Sequence, residues 1–266
     1  MKVLVLGGNR FVGASLVKKL VNMSLEKVTI FNRRGIGDPR TTIIQGNRNN
    51  LEDLAKINFK EFDYIIDMCL FKPDQFELIK PFLLEANLKK YVFISSAAVG
   101  IEAFGDYAKE KEEVENLIKQ TDLKYEIISP VYIVGENSHR PRLGYYINQL
   151  ETEDYVSIDE QGNYFINLIH VDDVVDFILE YTFNKVTYKT YILSNGEDLK
   201  PIDIINQISL FLKKDKIKLN LNSNDSPFLN QSFVFNKFPL TSKSLNEMLP
   251  EYMEWFKLNK NTKYGY

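Results

Sequence analysis

Six short runs in the first half of the chain, at residues 2–6, 28–31, 42–45, 64–68, 91–95 and 125–129, are apolar almost throughout, with no alternation of polar and apolar positions. A strand of that kind has both faces buried, which antiparallel sheets open to water on one side do not offer. Helical patterns separate the runs, at residues 11–22, 51–57, 73–86 and 105–120. Strands alternating with helices, joined by right-handed crossovers, give an α/β fold with a doubly wound parallel sheet covered on both sides. Past residue 130 the rhythm loosens: we expect a helix over 171–183, a strand over 190–193, a helix over 201–213, and an irregular Asn- and Ser-rich stretch over 220–236. No repeat and no flexible linker interrupts the chain. The expected organisation is a main domain over 1–130 and a smaller C-terminal lobe over 131–266, packed on it and partly returning to it.

Bulk composition narrows the function classes. The net charge of −3 provides no global basic field and argues against nucleic acid as a partner. Lys213, Lys214, Lys216 and Lys218 are interleaved with other side chains and read as solvated surface. A single cysteine, Cys69, rules out an intramolecular disulfide and fits a reducing cytoplasm. Two histidines, His139 and His170, are too few for most histidine-based zinc sites, so no metal is expected. The chain opens directly on a strand pattern, so no secretory leader is expected, and no apolar run approaches the roughly 20 residues of a membrane span. A cytoplasmic location is the expectation.

The stretch VLVLGGNRFVG, residues 3–13, puts a glycine turn between the first strand and the first helix. Gly7 can make the tight turn, and Gly13 lets the helix pack close to the strand. The helix start, with Asn9, Phe11 and Val12 around it, offers unpaired N–H groups and a positive dipole end to a pyrophosphate. Arg10 stands where another glycine is expected. The second strand ends in Asn32, Arg33 and Arg34, about twenty residues further on, where an NAD site places an acid on the ribose 2′-hydroxyl. Two arginines there suit a 2′-phosphate, so NADP is the preferred guest, with NAD as the alternative. Arg10 could close on the same phosphate. The plainer reading makes Arg33 and Arg34 exposed loop charges.

The fifth strand ends in FISSAAVG, and the next helix opens with DYAKEK. Tyr107 and Lys111, spaced i, i+4, share a helix face. A phenol beside an ammonium can exchange a proton, given about three units of pKa depression, roughly 4 kcal/mol of phenolate stabilisation. A serine from the strand end would hold the substrate oxygen. The plainer reading of the spacing is a half-buried tyrosine beside a solvated lysine.

Together, GGNRFVG, ISSAAVG, YAKEK, SPVYIVG and IHVDDVV resemble the extended short-chain dehydrogenase/reductase superfamily, in its NAD(P)-dependent epimerase/dehydratase branch. The likeness runs from residue 1 to about 200 and is weaker in SKSLNEMLPEYMEWF near the end. It implies a Rossmann domain, a catalytic set of Ser96, Tyr107 and Lys111, and a proline, Pro130, near the nicotinamide. Leu70 and Asn47 join the implied cofactor contacts, although Asn47 replaces the adenine-holding acid of the family. The His170–Asp173 segment matches a structural motif of the substrate lobe, with His170 packed rather than metal-bound. Other departures are Arg10, the absence of a tyrosine between Val99 and Gly100, and Ser129 where an arginine is usual. The GGxRF pattern marks a subset that includes relatives of chloroplast stem-loop RNA-binding proteins.

Three functions compete. One is an NADP-preferring oxidoreductase or epimerase transferring hydride at a carbonyl or alcohol carbon, with a nucleotide sugar as the small-molecule substrate that the resemblance implies. A second is a nucleotide-binding regulatory or RNA-associated protein with weak or no catalysis. A third is a reductase of small carbonyl or flavonoid-like compounds, to which the aromatic residues Tyr145, Tyr146, Tyr155, Tyr164 and Phe165 point unless they are simply core. Arg140 and Arg142 could grip a diphosphate or be surface charges. Phe76, Ile79 and Phe82 permit a homodimer through the helices at 73–86 and 105–120 without requiring one.

Overall fold

The protein is described by a computed structural model covering residues 1–138, 140, 142–153, 155–159, 162–184, 189–214, 217–221, 227–228 and 242–259. Its first ten elements are β1 (Lys2–Leu6), α1 (Phe11–Leu20), β2 (Lys27–Asn32), β3 (Thr42–Gln45), α2 (Leu51–Leu54), β4 (Tyr64–Asp67), α3 (Pro73–Glu85), β5 (Lys90–Ile94), α4 (Gly105–Lys119) and β6 (Tyr125–Pro130). They are followed by β7 (Tyr132–Val134), α5 (Arg142–Thr152), β8 (Val156–Ser157), β9 (Leu168–His170), α6 (Val171–Asn184), β10 (Lys189–Leu193), α7 (Pro201–Leu212), β11 (Leu219–Asn220) and α8 (Leu245–Asn259). The chain divides into two compact units, one of residues 1–130 and 174–193, the other of 131–173 and 194–266.

In the first unit seven parallel strands run in the order β10-β6-β5-β4-β1-β2-β3. The chain winds outward from β1 to β3, then returns to place β4 on the other side of β1, so the order reverses between β1 and β4. That reversal opens a crevice at the carboxyl ends of β1 and β4, where open α/β sheets bind ligands. The unalternated runs are buried as expected: β4 and β5 are buried at every position, and β1 at all but its first residue. Edge strand β3 is the exception, with Thr42 and Gln45 exposed. One side of the sheet carries a continuous core of Leu4, Leu6, Phe31, Ile65, Phe76, Ile79, Tyr91, Phe93, Val114 and Ile118. Helix α2 stops at Leu54, short of the expected residue 57, because the segment after it closes into turns from Ile57 N to Leu54 O and Phe59 N to Ile57 O.

The second unit is held by two short parallel pairs, β7 with β9 and β8 with β11. Helix α5 meets α8 closely: a side chain at Gly144 would lie 2.3 Å from the Phe256 ring, and Gly144 N donates to the Tyr252 hydroxyl. Tyr146 and Tyr164 are core residues, whereas Tyr155 and Phe165 are exposed. Strands β7, β8, β9 and β11 and helices α5 and α8 go beyond the elements expected from the sequence. Of the stretch expected to be irregular, residues 222–226 and 229–236 lie outside the described residues, as do His139 and Lys216.

Candidate active site

The glycine turn follows β1 directly. Gly7 adopts φ +90°, a left-handed conformation that favours glycine, and a side chain there would meet Cys69 Cβ at 3.0 Å. A Cβ on Gly13 would lie 2.4 Å from Gly7 O, so α1 rests on the turn itself. Position 10 makes no such demand. Arg10 caps α1 with φ −143° and ψ 147°, an extended backbone that any residue adopts, and its side chain is exposed. The first turn of α1 carries no acidic residue and no side-chain cap. Its N–H groups and dipole therefore keep their attraction for an anion. Phe11, with φ 39°, is a non-glycine residue in the left-handed region at the start of the helix. Such local cost persists where surrounding structure enforces it. Phe11 and Val12 point into the core, and Asn9 is half-buried.

At the end of β2 the Asn32 side chain folds the chain back on itself. Its Oδ1 accepts from Arg34 N at 3.0 Å and its Nδ2 donates to Ile36 O at 2.8 Å. Arg33 and Arg34 are left exposed on that turn, one strand away from the glycine loop. Asn47 is committed locally: its N–H donates to Asp53 and its side-chain oxygen accepts from Asn49 N.

The Tyr-x-x-x-Lys pair inverts the plainer expectation. Lys111 is only 2% exposed and Tyr107 40%. The Lys111 ammonium donates to Leu70 O at 2.8 Å, past the end of β4, and to Ile94 O at 2.9 Å, the end of β5. The Phe71 and Phe93 rings stand 4.9 and 4.6 Å away. Burial lowers the Lys111 pKa to about 7, against the pull of Asp67, with Arg48 adding to the lowering. An ammonium has three donors, and two are used by carbonyls.

Around this lysine lies a group that sequence reasoning passed over. Asp67, fully buried, accepts Arg48 Nη1 at 2.7 Å and Nη2 at 3.0 Å, the Tyr91 hydroxyl at 3.0 Å and Cys69 N at 3.1 Å. Arg48 Nη1 also reaches Cys69 Sγ at 3.3 Å. Burial opposes the Arg48 charge, but Asp67, together with the Cys69 and Tyr91 side chains, outweighs it and holds the guanidinium above its ordinary range. Burial pushes the Cys69 thiol up. Asp67 left a trace: a carboxylate inside an apolar strand run requires a partner. Glu115, the next i+4 step after Lys111, is likewise buried and accepts Ser95 Oγ at 2.6 Å.

The structure thus brings the glycine turn, the Leu70 carbonyl and Lys111 to one end of the sheet, since Gly7 abuts Cys69 and Leu70 clamps the lysine. Ser96, two residues beyond the Ile94 carbonyl, accepts Ala98 N in a local turn, and Pro130 O accepts Ala97 N. In the second unit, Arg142 stacks over Tyr132 at 4.5 Å and donates to Pro227 O, while Arg140 is exposed. His170 is buried, its pKa lowered by burial, and Nδ1 accepts Asp172 N. His170, Asp172 and Glu251 offer ligand atoms within 4.8 Å of one another. The Lys243 ammonium stands among them, 3.2 Å from His170 and 3.4 Å from each carboxylate. Among the described residues, no helix is long and apolar enough to cross a membrane.

Residues 7–181 match a protein family described as NAD(P)H-binding. The chain is 24% identical over 233 residues to the chloroplast stem-loop binding protein of 41 kDa b of Arabidopsis thaliana; the match takes in 76% of this chain and 60% of that protein's length. The fold of this chain is similar to that of UDP-glucose 4-epimerase from Thermotoga maritima, solved with UDP-glucose, at TM-score 0.75 and 16% identity over 98% of this chain and 100% of that one. The Bordetella bronchiseptica enzyme WbmF, solved with NADH, superposes at TM-score 0.77 with 17% identity, over 97% of this chain and 92% of that one. With the family match extending over most of the chain, this protein belongs to the NAD(P)H-binding family, with a Rossmann fold like that of the extended epimerases and dehydratases.

Proposed function

We propose that this protein is an NADP-preferring oxidoreductase or epimerase acting at a carbonyl or alcohol carbon of a nucleotide sugar. The observation that carries this reading is the burial of Lys111 against the Leu70 and Ile94 carbonyls, beside a turn where glycine is sterically required. Burying an ammonium without a directly bonded carboxylate is costly and calls for a use.

A bound nicotinamide supplies the hydride chemistry. The glycine turn and the start of α1, with Gly7, Asn9, Phe11, Val12 and Gly13, hold the pyrophosphate, and Arg33, Arg34 and Arg10 hold the 2′-phosphate. Leu70 and Pro130 would line the cofactor, whereas Asn32 shapes the arginine turn with its side chain and Asn47, held by Asp53 and Asn49, would have its side-chain amide N–H to offer. Tyr107 gives or takes the substrate proton at its phenol oxygen. Lys111, with one N–H not taken by the Leu70 and Ile94 carbonyls, would hold the cofactor ribose, and its charged form would favour the phenolate of Tyr107. Ser96 fixes the substrate oxygen. The second unit acts as the substrate lobe; Phe76 and Ile79, offered by the sequence for a dimer face, are buried in the core of the first unit and are not free to form one.

Calorimetric titration with NADP and NAD in parallel tests the cofactor. We expect NADP to bind at least about tenfold more tightly, with the preference lost in Arg33→Ala/Arg34→Ala; stronger binding of NAD removes the argument. Replacing Tyr107 by Phe should lower turnover by about 100-fold or more, and turnover within about tenfold of the parent defeats the mechanism.

The stem-loop binding relative favours a second reading, an RNA-associated protein that keeps the nucleotide site. Its net charge of −3 speaks against broad RNA affinity. Filter binding across salt concentrations separates the two, because phosphate contacts make affinity salt-dependent.

A further inference from the structure

We propose that Arg48 and Asp67, closed by Tyr91, form a positioning element for Lys111: they fix the turn from Asp67 to Leu70, whose last carbonyl clamps the ammonium, and set one negative and one positive charge behind it. The inference rests on the reading of Lys111 as the group that faces the cofactor.

The geometry forms a chain of contacts. The Asp67 carboxylate binds Cys69 N, so the backbone leaving β4 is bent by the same side chain that Arg48 grips with two hydrogen bonds. One residue past Cys69, the Leu70 carbonyl receives Lys111 Nζ. Arg48 leaves β3 through Gly46 and Asn47, so the ion pair joins the β3 loop to the β4 loop. A second tie runs parallel to it, from Gln75 Nε2 to Asn49 Oδ1 at 3.0 Å. Lys111 then joins the β4 loop to β5. Two buried cations thereby link three successive loops at the carboxyl edge of the sheet. Arg48 is 8% exposed and its Nε finds no hydrogen-bond partner among the described residues, a cost that an arginine without a role would shed by turning to water.

The charged and titratable groups that act on Lys111 are few. Asp67 and Glu115 favour its charged form, as does the Cys69 thiol, and Arg48 opposes it. Tyr91 reaches Asp67 from β5. Removing one member of the ion pair should therefore move the lysine in a direction set by which member is lost, a signature that loss of packing alone does not produce.

The test uses the full chain without cofactor or substrate. Isotope-labelled lysine is followed by NMR across pH, and the Lys111 signal is identified by its loss in Lys111→Met. In Arg48→Met the Lys111 midpoint should rise by about one pH unit, and in Asp67→Asn it should fall by about as much. Midpoints that stay put in both variants, or move in the same direction, overturn the proposal. If a single variant does not fold, the pair is replaced by apolar side chains together, Arg48→Met/Asp67→Leu, a change that buried ion pairs commonly tolerate. Release of the clamp should then speed reductive methylation of Lys111 by about tenfold or more, and an unchanged rate sinks the idea. NADP binding by the parent is measured separately: its absence defeats the proposed function while leaving this result standing.

Discussion

Two lysines, one in each unit, show how differently the same ammonium can be housed. Lys111 is sealed by backbone carbonyls and aromatic rings, with no carboxylate in direct contact among its described partners, and its pKa falls to about 7 through burial. Lys243, one-third exposed, is ringed by Asp172, Glu251 and His170, and its backbone N–H is held by Asp173. Burial opposes its charge too, but the carboxylates of Glu251 and Asp172 outweigh it, and its pKa rises. Carbonyls orient a cation without neutralising it, whereas carboxylates cancel its field as they hold it. In its charged form Lys111 therefore keeps a field that can act on a neighbour or an anionic ligand, and Lys243 ties α8 to the start of α6.

The contrast is sharpest in the pH dependence of stability. Lys111 has a folded-state pKa of about 7, against 10.5 for an ordinary solvated lysine. Between those values the unfolded chain binds the extra proton, so stability rises with pH across that window. The gain is on the order of 3–5 kcal/mol at most and levels off above the unfolded pKa. Lys243 has the opposite sign: its contribution is complete below 10.5 and is lost only as pH climbs through its raised folded value. Denaturant unfolding of the parent and of Lys111→Met from pH 7 to 10 reads this directly. The variant should lack the rise. An equally steep rise in Lys111→Met would mean that the buried ammonium does not titrate there.

Function should separate the two residues next. Lys111→Met preserves length and apolar contact, so the fold should survive, while turnover falls by about 100-fold or more, a loss of roughly 3 kcal/mol of transition-state stabilisation. Lys243→Met should leave turnover per folded molecule within about threefold. Equal losses of activity in the two variants would erase the distinction between an oriented charge and a neutralised one.

The sequence disclosed these two lysines unequally. The sheet was legible because runs such as KVLVL and KYVFI admit no exposed face, and the glycine turn because Gly7 and Gly13 are sterically compelled. The i, i+4 spacing put Tyr107 and Lys111 on one helix face, yet it could not reveal that the lysine is the buried member. That depends on the Leu70 and Ile94 carbonyls, contributed by two other strand ends. Asp67 was visible as a charge in an apolar run, but its partner lies 19 residues earlier in a loop with no periodic pattern. The second unit was least legible. Strands β8 and β11 have two residues each and exist only through their pairing, which no local pattern of residues announces. Lys243 follows a long aperiodic stretch and finds its carboxylates on α6 and α8.

The smallest expected effect is structural and belongs to Lys243. Asp172 and Glu251 are 38% and 45% exposed, so water solvates both when the ammonium is removed. Solvated partners reduce the worth of an ion pair to about 1 kcal/mol or less. His170 weighs the other way. It is buried, and the Lys243 charge, after burial itself, is what helps keep its imidazole from taking up a proton. Lys243→Met should therefore cost on the order of 1 kcal/mol near pH 8, and less as pH falls toward 6. There the His170 ring becomes able to accept a proton and to bind the two carboxylates in place of the ammonium. Raising the salt concentration should shrink the cost at pH 8, because the pairs are reached by solvent. A loss of several kcal/mol, insensitive to salt and growing as the pH is lowered, would show instead that Lys243 is a buried neutralising charge, and the contrast with Lys111 would then rest on the ligands alone and not on exposure.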